Sequence, residues 1–329
     1  MNIIHLKSLT LALIAIGAVV AKAEQDVINK TFAVKAGGKL TVNVDRGSIQ
    51  ITTSDSDKVD VKVSRELKNV STAEAKRLFE QHKIEMASKD NEVKIEAERP
   101  QKISIPGFDN RLNRLQVEYT IAIPSKFDID LRTAGGHIDV TDLEGKAVVH
   151  SSGGNLRLGA IKGPLKAHTS GGHITVSKSG GDTDVDTSGG DLRLGEIQGN
   201  LIAHSSGGHI TLEKTKGSVK VSTSGGNIRV NEASGPVSAH TSGGNVSARL
   251  NGQPKGNCSL KTSGGNVEVL LASNLALDLD AHTSGGRVES DFPGTSNKQK
   301  TRLTAQLNGG GPNLMLETSG GNVRIRAAQ

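Results

Sequence analysis

The chain has 329 residues, a formal charge of +6 at neutral pH, one cysteine, no tryptophan and only 2% aromatic residues against 40 glycines. A lone cysteine excludes an internal disulfide framework, and the interspersed basic and acidic side chains exclude the basic stripe of a nucleic-acid binder. The length would ordinarily imply two globular domains, but internal repeats remove that inference, because a stack of repeats grows without needing a larger core.

At the amino terminus Lys7 precedes the apolar run Leu9 to Val20, and Ala21-Lys22-Ala23 places small residues where a signal peptidase reads. Residues 1–23 are therefore expected to be a signal peptide, too short in their apolar run for a retained membrane helix. Removing Lys7 and Lys22 lowers the charge from +6 to +4. The mature chain is expected in the periplasm, secreted or at the cell surface, with no stable membrane span and no nucleic-acid partner.

Residues 24–125 are expected to form an amino-terminal β region. From Gly38 the alternation Leu40, Val42, Val44, then Ile49 and Ile51, predicts two short half-buried strands, and Val59, Val61 and Val63 continue the pattern. Ser71-Thr72-Ala73-Glu74 is a capping box, and Ala75, Leu78, Phe79 and His82 share one face, which predicts an inserted helix over residues 72–84. Strands are expected at Glu92 to Ala97 and Gln116 to Ile123, separated by an irregular loop from Arg99 to Arg114. Phe32, Phe79, Phe108, Tyr119 and Phe127 concentrate in this region, as a thickened cap over one end of a stack would require.

Residues 126–329 carry the repeat. A near-identical turn, usually Thr-Ser-Gly-Gly followed by Asn or His, recurs ten times, its first glycine falling at 135, 153, 171, 189, 207, 225 and 243 with a period of 18. A second register of glycines, at 145, 163, 181, 199, 217 and 235, keeps the same period. Between the two registers lie short alternating runs such as Leu165, Ala167 and Thr169, then Ile174 and Val176. This predicts an all-β fold, a parallel β-solenoid with two strands in each coil of about 18 residues. The glycines are expected to supply positive φ at both corners. Past Gly243 the spacing becomes 21, 21 and 35, read as loops inserted at Gln253 to Cys258 and Asp291 to Lys300. Cys258 is expected to be a small residue at such a loop edge.

Phe32-x-Val34, Gly47-Ser48-Ile49, the helix insertion, Tyr119-x-Ile121-x-Ile123-Pro124 and the Thr-Ser-Gly-Gly-Asn-Val series together resemble the bacterial adhesin-like β-strand-repeat family, a domain of unknown function. They are similar also to autotransporter adhesin head domains. The resemblance spans the mature chain and implies a solenoid and an adhesin-like role; it brings no catalytic residues and no cofactor.

Eight of the ten histidines fall in two repeat positions. Before the turn the column reads His150, His168, Asp186, His204, Ser222, His240, Lys261, His282 and Glu317. After the glycines it reads His137, Asn155, His173, Asp191, His209, Asn227, Asn245, Asn266, Arg287 and Asn322. Alternation with inward residues points both columns to solvent. Zinc would need three or four ligands about 2 Å from one ion, so His150, His168 and Asp186, or His173, Asp191 and His209, are the metal candidates, set against a plain solvated ladder. His137, Asn155, His204, Asn227, His240, Asn245, Asn266 and His282 are the candidate binding face. Gly180-Gly181-Asp182-Thr183-Asp184 with Asp186 is the one run acidic enough for calcium. No catalytic residue is expected: a nucleophilic serine is unique, whereas this one recurs at every turn, and the aromatic-poor solenoid lacks the sugar platforms of a polysaccharide lyase or hydrolase. The expected function is a non-enzymatic scaffold or adhesin-like binder of a protein, glycan or envelope component. A polysaccharide-active enzyme and a metal-binding envelope protein are the alternatives.

Overall fold

The computed structural model describes residues 23–98, 114–297 and 299–328. The leader up to Lys22, and the loop expected at Arg99 to Arg114 apart from Arg114 itself, lie outside these residues. The described strands form two sheets, one of 14 strands and one of 15, which face each other across a narrow apolar core. Each coil contributes one strand to each sheet. In the first sheet Leu156, Ile174, Leu192, Ile210 and Ile228 stand on successive rungs in parallel register. In the second, Leu165, Thr183, Leu201, Val219 and Val237 do the same. Rungs about 4.8 Å apart let every strand satisfy its amides on the coils above and below. This is the expected parallel β-solenoid.

The core is thin because each strand sends only two or three side chains inward. Leu192, Leu194, Ile197, Leu201 and Ala203 of one coil are all at most 1% exposed. One inward column alternates Val149, Ala167, Val185, Ala203, Val221 and Ala239, so a larger side chain on one coil lies over a smaller one on the next. Such a core has no room for aromatics. Tyr119 and Phe127, both 0% exposed, sit at the amino-terminal end where the section is broader.

The corners are glycine-rich for a reason other than the expected one. Positive φ occurs among the described glycines at Gly37, Gly47, Gly309 and Gly310 and at none of the repeat glycines. What the second glycine of each pair does is allow close approach. A Cβ on Gly190 would lie 2.0 Å from the carbonyl oxygen of Gly172, and one on Gly208 would lie 1.9 Å from that of Gly190. Stacked corners thus place backbone on backbone. The first glycine is far less constrained: a Cβ on Gly189 would meet nothing nearer than 3.5 Å, and the tightest case is Gly285, 2.9 Å from the Ser319 carbonyl oxygen.

Both ends depart from sequence order. Gly38–Val44 and Ser48–Ser54 form one coil. Phe127–Thr133 and Ile138–Val140 stack on its inner side. On its outer side lie Glu92–Ala97 and Gln116–Pro124, which come later in the chain. Lys58–Lys68, expected to prolong the parallel pattern through Val59, Val61 and Val63, instead runs antiparallel to Gln116–Pro124 and to Ala23–Ala33. Only a tight turn separates it from Ser48–Ser54, and a tight turn reverses a strand rather than carrying it across to a parallel neighbour. The helix Thr72–Gln81 starts as predicted, with the Ser71 hydroxyl accepting from the Glu74 amide at 3.3 Å. It ends three residues early because Ile84–Lys89 is drawn into an antiparallel pair with Glu92–Ala97.

At the other end, Asn313–Thr318 and Val323–Ala327, last in sequence, are inserted between the coil Cys258–Thr262 with Val267–Leu271 and the coil Leu277–Thr283 with Val288–Ser290. The spacing of 35 therefore records a chain that passes outward, turns through the antiparallel strands Thr295–Ser296 and Arg302–Leu307, and comes back inside. It is a change of stacking order, not a loop inserted in an ordered stack. Antiparallel strands close both sheets at the amino-terminal end and the 15-stranded sheet at the other, shielding parallel rungs that would otherwise template further pairing.

Gly190→Ala is expected to destabilise the chain by more than about 3 kcal/mol, the upper part of the usual overpacking cost, whereas Gly189→Ala stays within about 1 kcal/mol. Urea-unfolding midpoints of the two variants test the difference.

Candidate functional site

The repeated motif resolves into two sets of hydrogen bonds. The residue three before the second glycine is a buried hydroxyl in every turn from Thr133 to Thr318. Thr187 is representative: it is 0% exposed, its hydroxyl donates to the Gly172 carbonyl of the previous coil at 2.8 Å, and it accepts from the Gly190 amide of its own corner at 3.3 Å. Ser151 and Ser205 do the same with Gly136 and Gly190. Serine and threonine interchange freely because only the oxygen is used. These hydroxyls tie one coil to the next and have no base beside them.

The column after the glycines forms the second set. The side-chain acceptor of each residue takes the backbone N–H of its successor on the neighbouring coil. His137 Nδ1 accepts from Asn155, Asn155 Oδ1 from His173, His173 Nδ1 from Asp191, Asp191 Oδ1 from His209 and His209 Nδ1 from Asn227, all at 2.8–2.9 Å. Asn227, Asn245 and Asn266 continue the relay at 2.7–2.8 Å, through Asn322 to Arg287. The composition of the column follows directly. Asn and Asp carry an oxygen, and neutral His a nitrogen, at the same distance from the backbone. Arg287 has no such acceptor and stands at the last rung, where none is needed.

His173, Asp191 and His209 are therefore brought together as coil-to-coil links, with the Nδ1 atoms and one carboxylate oxygen already engaged. His137, Asn155, Asn227, Asn245 and Asn266 of the expected binding face are links of the same kind. At the opposite corner the calcium candidate Asp182 does likewise, its Oδ1 accepting from the Asn200 amide at 2.9 Å.

The column before the turn is different, since its groups are spent on each other or left outward. In spatial order it reads Arg132, His150, His168, Asp186, His204, Ser222, His240, Lys261, Glu317 and His282; Glu317 precedes His282 because of the reordered end. The His150 and His168 rings stack with centroids 4.9 Å apart and planes 9° from parallel. His168 Nδ1 lies 2.7 Å from Asp186 Oδ2, and His204 Nδ1 lies 3.0 Å from Ser222 Oγ. Partial burial, then the neighbouring His168 and Arg132, pull the His150 pKa below the ordinary imidazole value. Lys261 pairs with Glu317 at 3.0 Å. Among the described residues no group of three or more His, Cys, Asp or Glu is arranged to hold a metal.

Two features escape the sequence reading. The first is a two-coil period. On the outer face of the first sheet Arg157, Thr175, Arg193, Thr211, Arg229 and Ser247 occupy successive rungs, so arginine recurs on every second coil. Lys178 pairs with Glu196 at 2.9 Å and Lys214 with Glu232 at 3.3 Å in the neighbouring column. The sequence signal was the alternation of Leu-Arg-Leu with Ile-Thr-Val after successive turns, masked by the stronger 18-residue repeat.

The second is a buried polar cluster under the amino-terminal cap. Arg65, 7% exposed, donates through Nε to Asp26 at 2.9 Å and through a terminal nitrogen to the carbonyls of Phe79 and His82 at 2.7 and 2.9 Å, its other terminal nitrogen also meeting Asp26. His82, 1% exposed, donates Nε2–H to Asp45 at 3.1 Å, and Arg46 donates to the same carboxylate at 2.9 Å. Among the described residues His82 Nδ1 and the Tyr119 hydroxyl are buried without a partner. Burial alone would raise the Asp45 pKa, but the bonds from His82 and Arg46 and the Arg46 charge outweigh it, and the carboxyl titrates below its usual range. Burial drives the Tyr119 phenol well above its usual value. An open cleft of about 860 Å³ lies over the cluster, lined by Asp26, Asp45, Arg46, Arg65 and the corner at Gly135 and Gly136. Apart from the adjacent Asp45 and Arg46, its bonds join residues 14 to 39 positions apart, with no local pattern to announce them.

A family model described as Toastrack DUF4097 matches residues 38–326. No curated protein matches the chain. Solved structures similar to it include a "putative adhesin" from Bacteroides fragilis, 14% identical, covering 92% of this chain and 97% of that one with a TM-score of 0.36. A "putative lipid binding protein" from Parabacteroides distasonis is 14% identical over 91% of this chain and 96% of that one, with a TM-score of 0.40. A "putative adhesin" from Parabacteroides merdae is 9% identical over 92% and 96%, with a TM-score of 0.32.

Asn227→Ala is expected to cost about 1 kcal/mol by removing one neutral acceptor, with Asn227→Asp near neutral. Thr187→Val should cost about 2 to 4 kcal/mol, since it orphans a buried amide and a buried carbonyl at about 1 to 2 each, while Thr187→Ser costs under about 1; chemical denaturation ranks the four. Because the Asp45 carboxyl titrates lower in the folded than in the unfolded chain, its contribution is full above about pH 4 and is lost as pH falls through the folded value. Asp45→Asn should therefore lower stability at pH 7 by about 1 to 3 kcal/mol and lower it less at pH 3, as read from unfolding midpoints at the two pH values.

Proposed function

The chain belongs to the Toastrack DUF4097 family, and on that premise we propose that it is a non-enzymatic extracytoplasmic scaffold, an adhesin-like protein that binds a protein, glycan or envelope component across its flat sheet faces. The observation that carries this reading is the regular outward display. Arg157, Arg193 and Arg229 recur on every second coil of one face, with hydroxyl residues between them. On the other face the ladder from His150 to His282 presents one polar side chain per rung. Many equal, shallow contacts at fixed spacing suit an extended partner better than a small substrate.

The rival enzymatic reading needs a carboxylate held protonated near neutral pH to act as general acid. Two of the cleft carboxylates work against it. Asp26 is bound to Arg65 and Asp45 to Arg46 and His82, and Asp45 is shifted towards ionisation. Extracytoplasmic residence rests on the sequence of residues 1–23; among the described residues no helix is long and apolar enough to cross a membrane.

The test is binding of the purified mature chain to fractionated envelope protein and glycan. Each exposed polar contact is worth under about 1 kcal/mol, so Arg193→Ala alone should weaken binding no more than about fivefold. Combined Arg157→Ala, Arg193→Ala and Arg229→Ala should weaken it by more than about 30-fold. Abolition by one substitution, or sustained turnover of a soluble glycan, would overturn the proposal.

A further inference from the structure

The pre-turn ladder contains the one place where two histidines occupy adjacent rungs. His150 and His168 pair in register, and their rings stack with centroids 4.9 Å apart. Elsewhere in this column His168, His204 and His240 are followed by Asp186, Ser222 and Lys261, and His282 follows Glu317. We propose that His150 and His168 form a two-imidazole surface site for a divalent late transition-metal ion, with copper(II) bound more tightly than nickel(II) or zinc(II).

Two features of the surroundings support it. First, Asp186 Oδ2 stands 2.7 Å from His168 Nδ1. A carboxylate there accepts a hydrogen bond from Nδ1–H and leaves the Nε2 lone pair free, the arrangement that orients metal-bound histidines. Second, the positive side chains nearby are balanced. The pair borders a depression of about 270 Å³ lined also by Arg132, Lys166, Asp184 and Asp186, and Arg132 is held by Asp130 at 3.0 Å.

The geometry sets the required movement. Rings stacked in parallel point their lone pairs the same way, so one ion at about 2 Å from each takes the nitrogens as cis ligands, about 3 Å apart. From parallel rings at 4.9 Å the tips must close by about 2 Å, which side chains at a partly exposed surface allow. Water completes the coordination, and the preference for copper follows the general order of affinity for nitrogen ligands.

The experiment is calorimetric titration of the untagged mature chain with CuCl2, NiCl2 and ZnCl2 at pH 7.5, with the copper complex read by its electron paramagnetic resonance. One ion per chain should bind at or below roughly 0.1 mM in the order copper above nickel and zinc, and the spectrum should show two nitrogen ligands. His150→Ala and His168→Ala should each weaken binding at least 30-fold. Asp186→Asn should weaken it about 10- to 100-fold, and His240→Ala should leave it unchanged. Circular dichroism of each variant verifies the fold. Absence of saturable binding, or binding that persists undiminished in folded His150→Ala and His168→Ala, would overturn the proposal.

Discussion

The architecture depends on how closely one corner can lie on the next. The second glycine of each pair has its α-carbon so near the carbonyl of the coil before it that a Cβ would fall about 2 Å from that oxygen, as at Gly190 over Gly172. That approach fixes the rung spacing at the corner to the spacing the two sheets demand, so neither sheet must splay. The same carbonyl is satisfied by the buried threonine or serine hydroxyl. Close contact and hydrogen bond are thus one device, and they require the sequence to repeat Thr or Ser and Gly at a fixed distance.

Fixing the corners distributes the remaining residues by role. The position after the glycines must supply an acceptor at the reach of Asn Oδ1, and it is filled by Asn, Asp and neutral His until the stack ends at Arg287. The position before the buried hydroxyl carries no such duty and accommodates Arg, His, Asp, Ser, Lys and Glu. Histidine therefore has two meanings in this chain. At His137, His173 and His209 it is a backbone cap that asparagine can replace. At His150 and His168 its ring is turned to a neighbouring ring and to solvent, which is where ligand chemistry remains open to it.

The ends solve the problem that a regular stack creates for itself. A last parallel rung exposes a row of unpaired amides, and here the chain folds back so that three of the four sheet ends close on antiparallel strands, the fourth being Val288–Ser290. At the amino-terminal end the reversal brings Asp26, Arg65, His82 and Asp45 together in a buried polar network. The polar bonds there do for an irregular cap what the threonine and asparagine relays do for the regular coils. They fix the position of one segment against another when apolar burial alone would leave it free to slide.

A period of 18, with alternation on each side of two glycine registers, was enough to determine the coil, its two strands and the inward columns, because each coil repeats the same local problem. The capping box likewise announced the start of the helix at Thr72 through contacts only three residues apart. Local pattern could not reveal stacking order. That Asn313–Thr318 lies inside Leu277–Thr283, and that Glu92–Ala97 lies outside Gly38–Val44, depends on which unpaired edge is available when the chain returns, a property of the assembled sheets. Nor could it separate a histidine that caps an amide from one that faces another histidine, or a glycine needed for its φ from one needed for its missing Cβ. Both distinctions are set by the atoms of the neighbouring coil, which lie one turn away in space and 18 or more residues away in sequence.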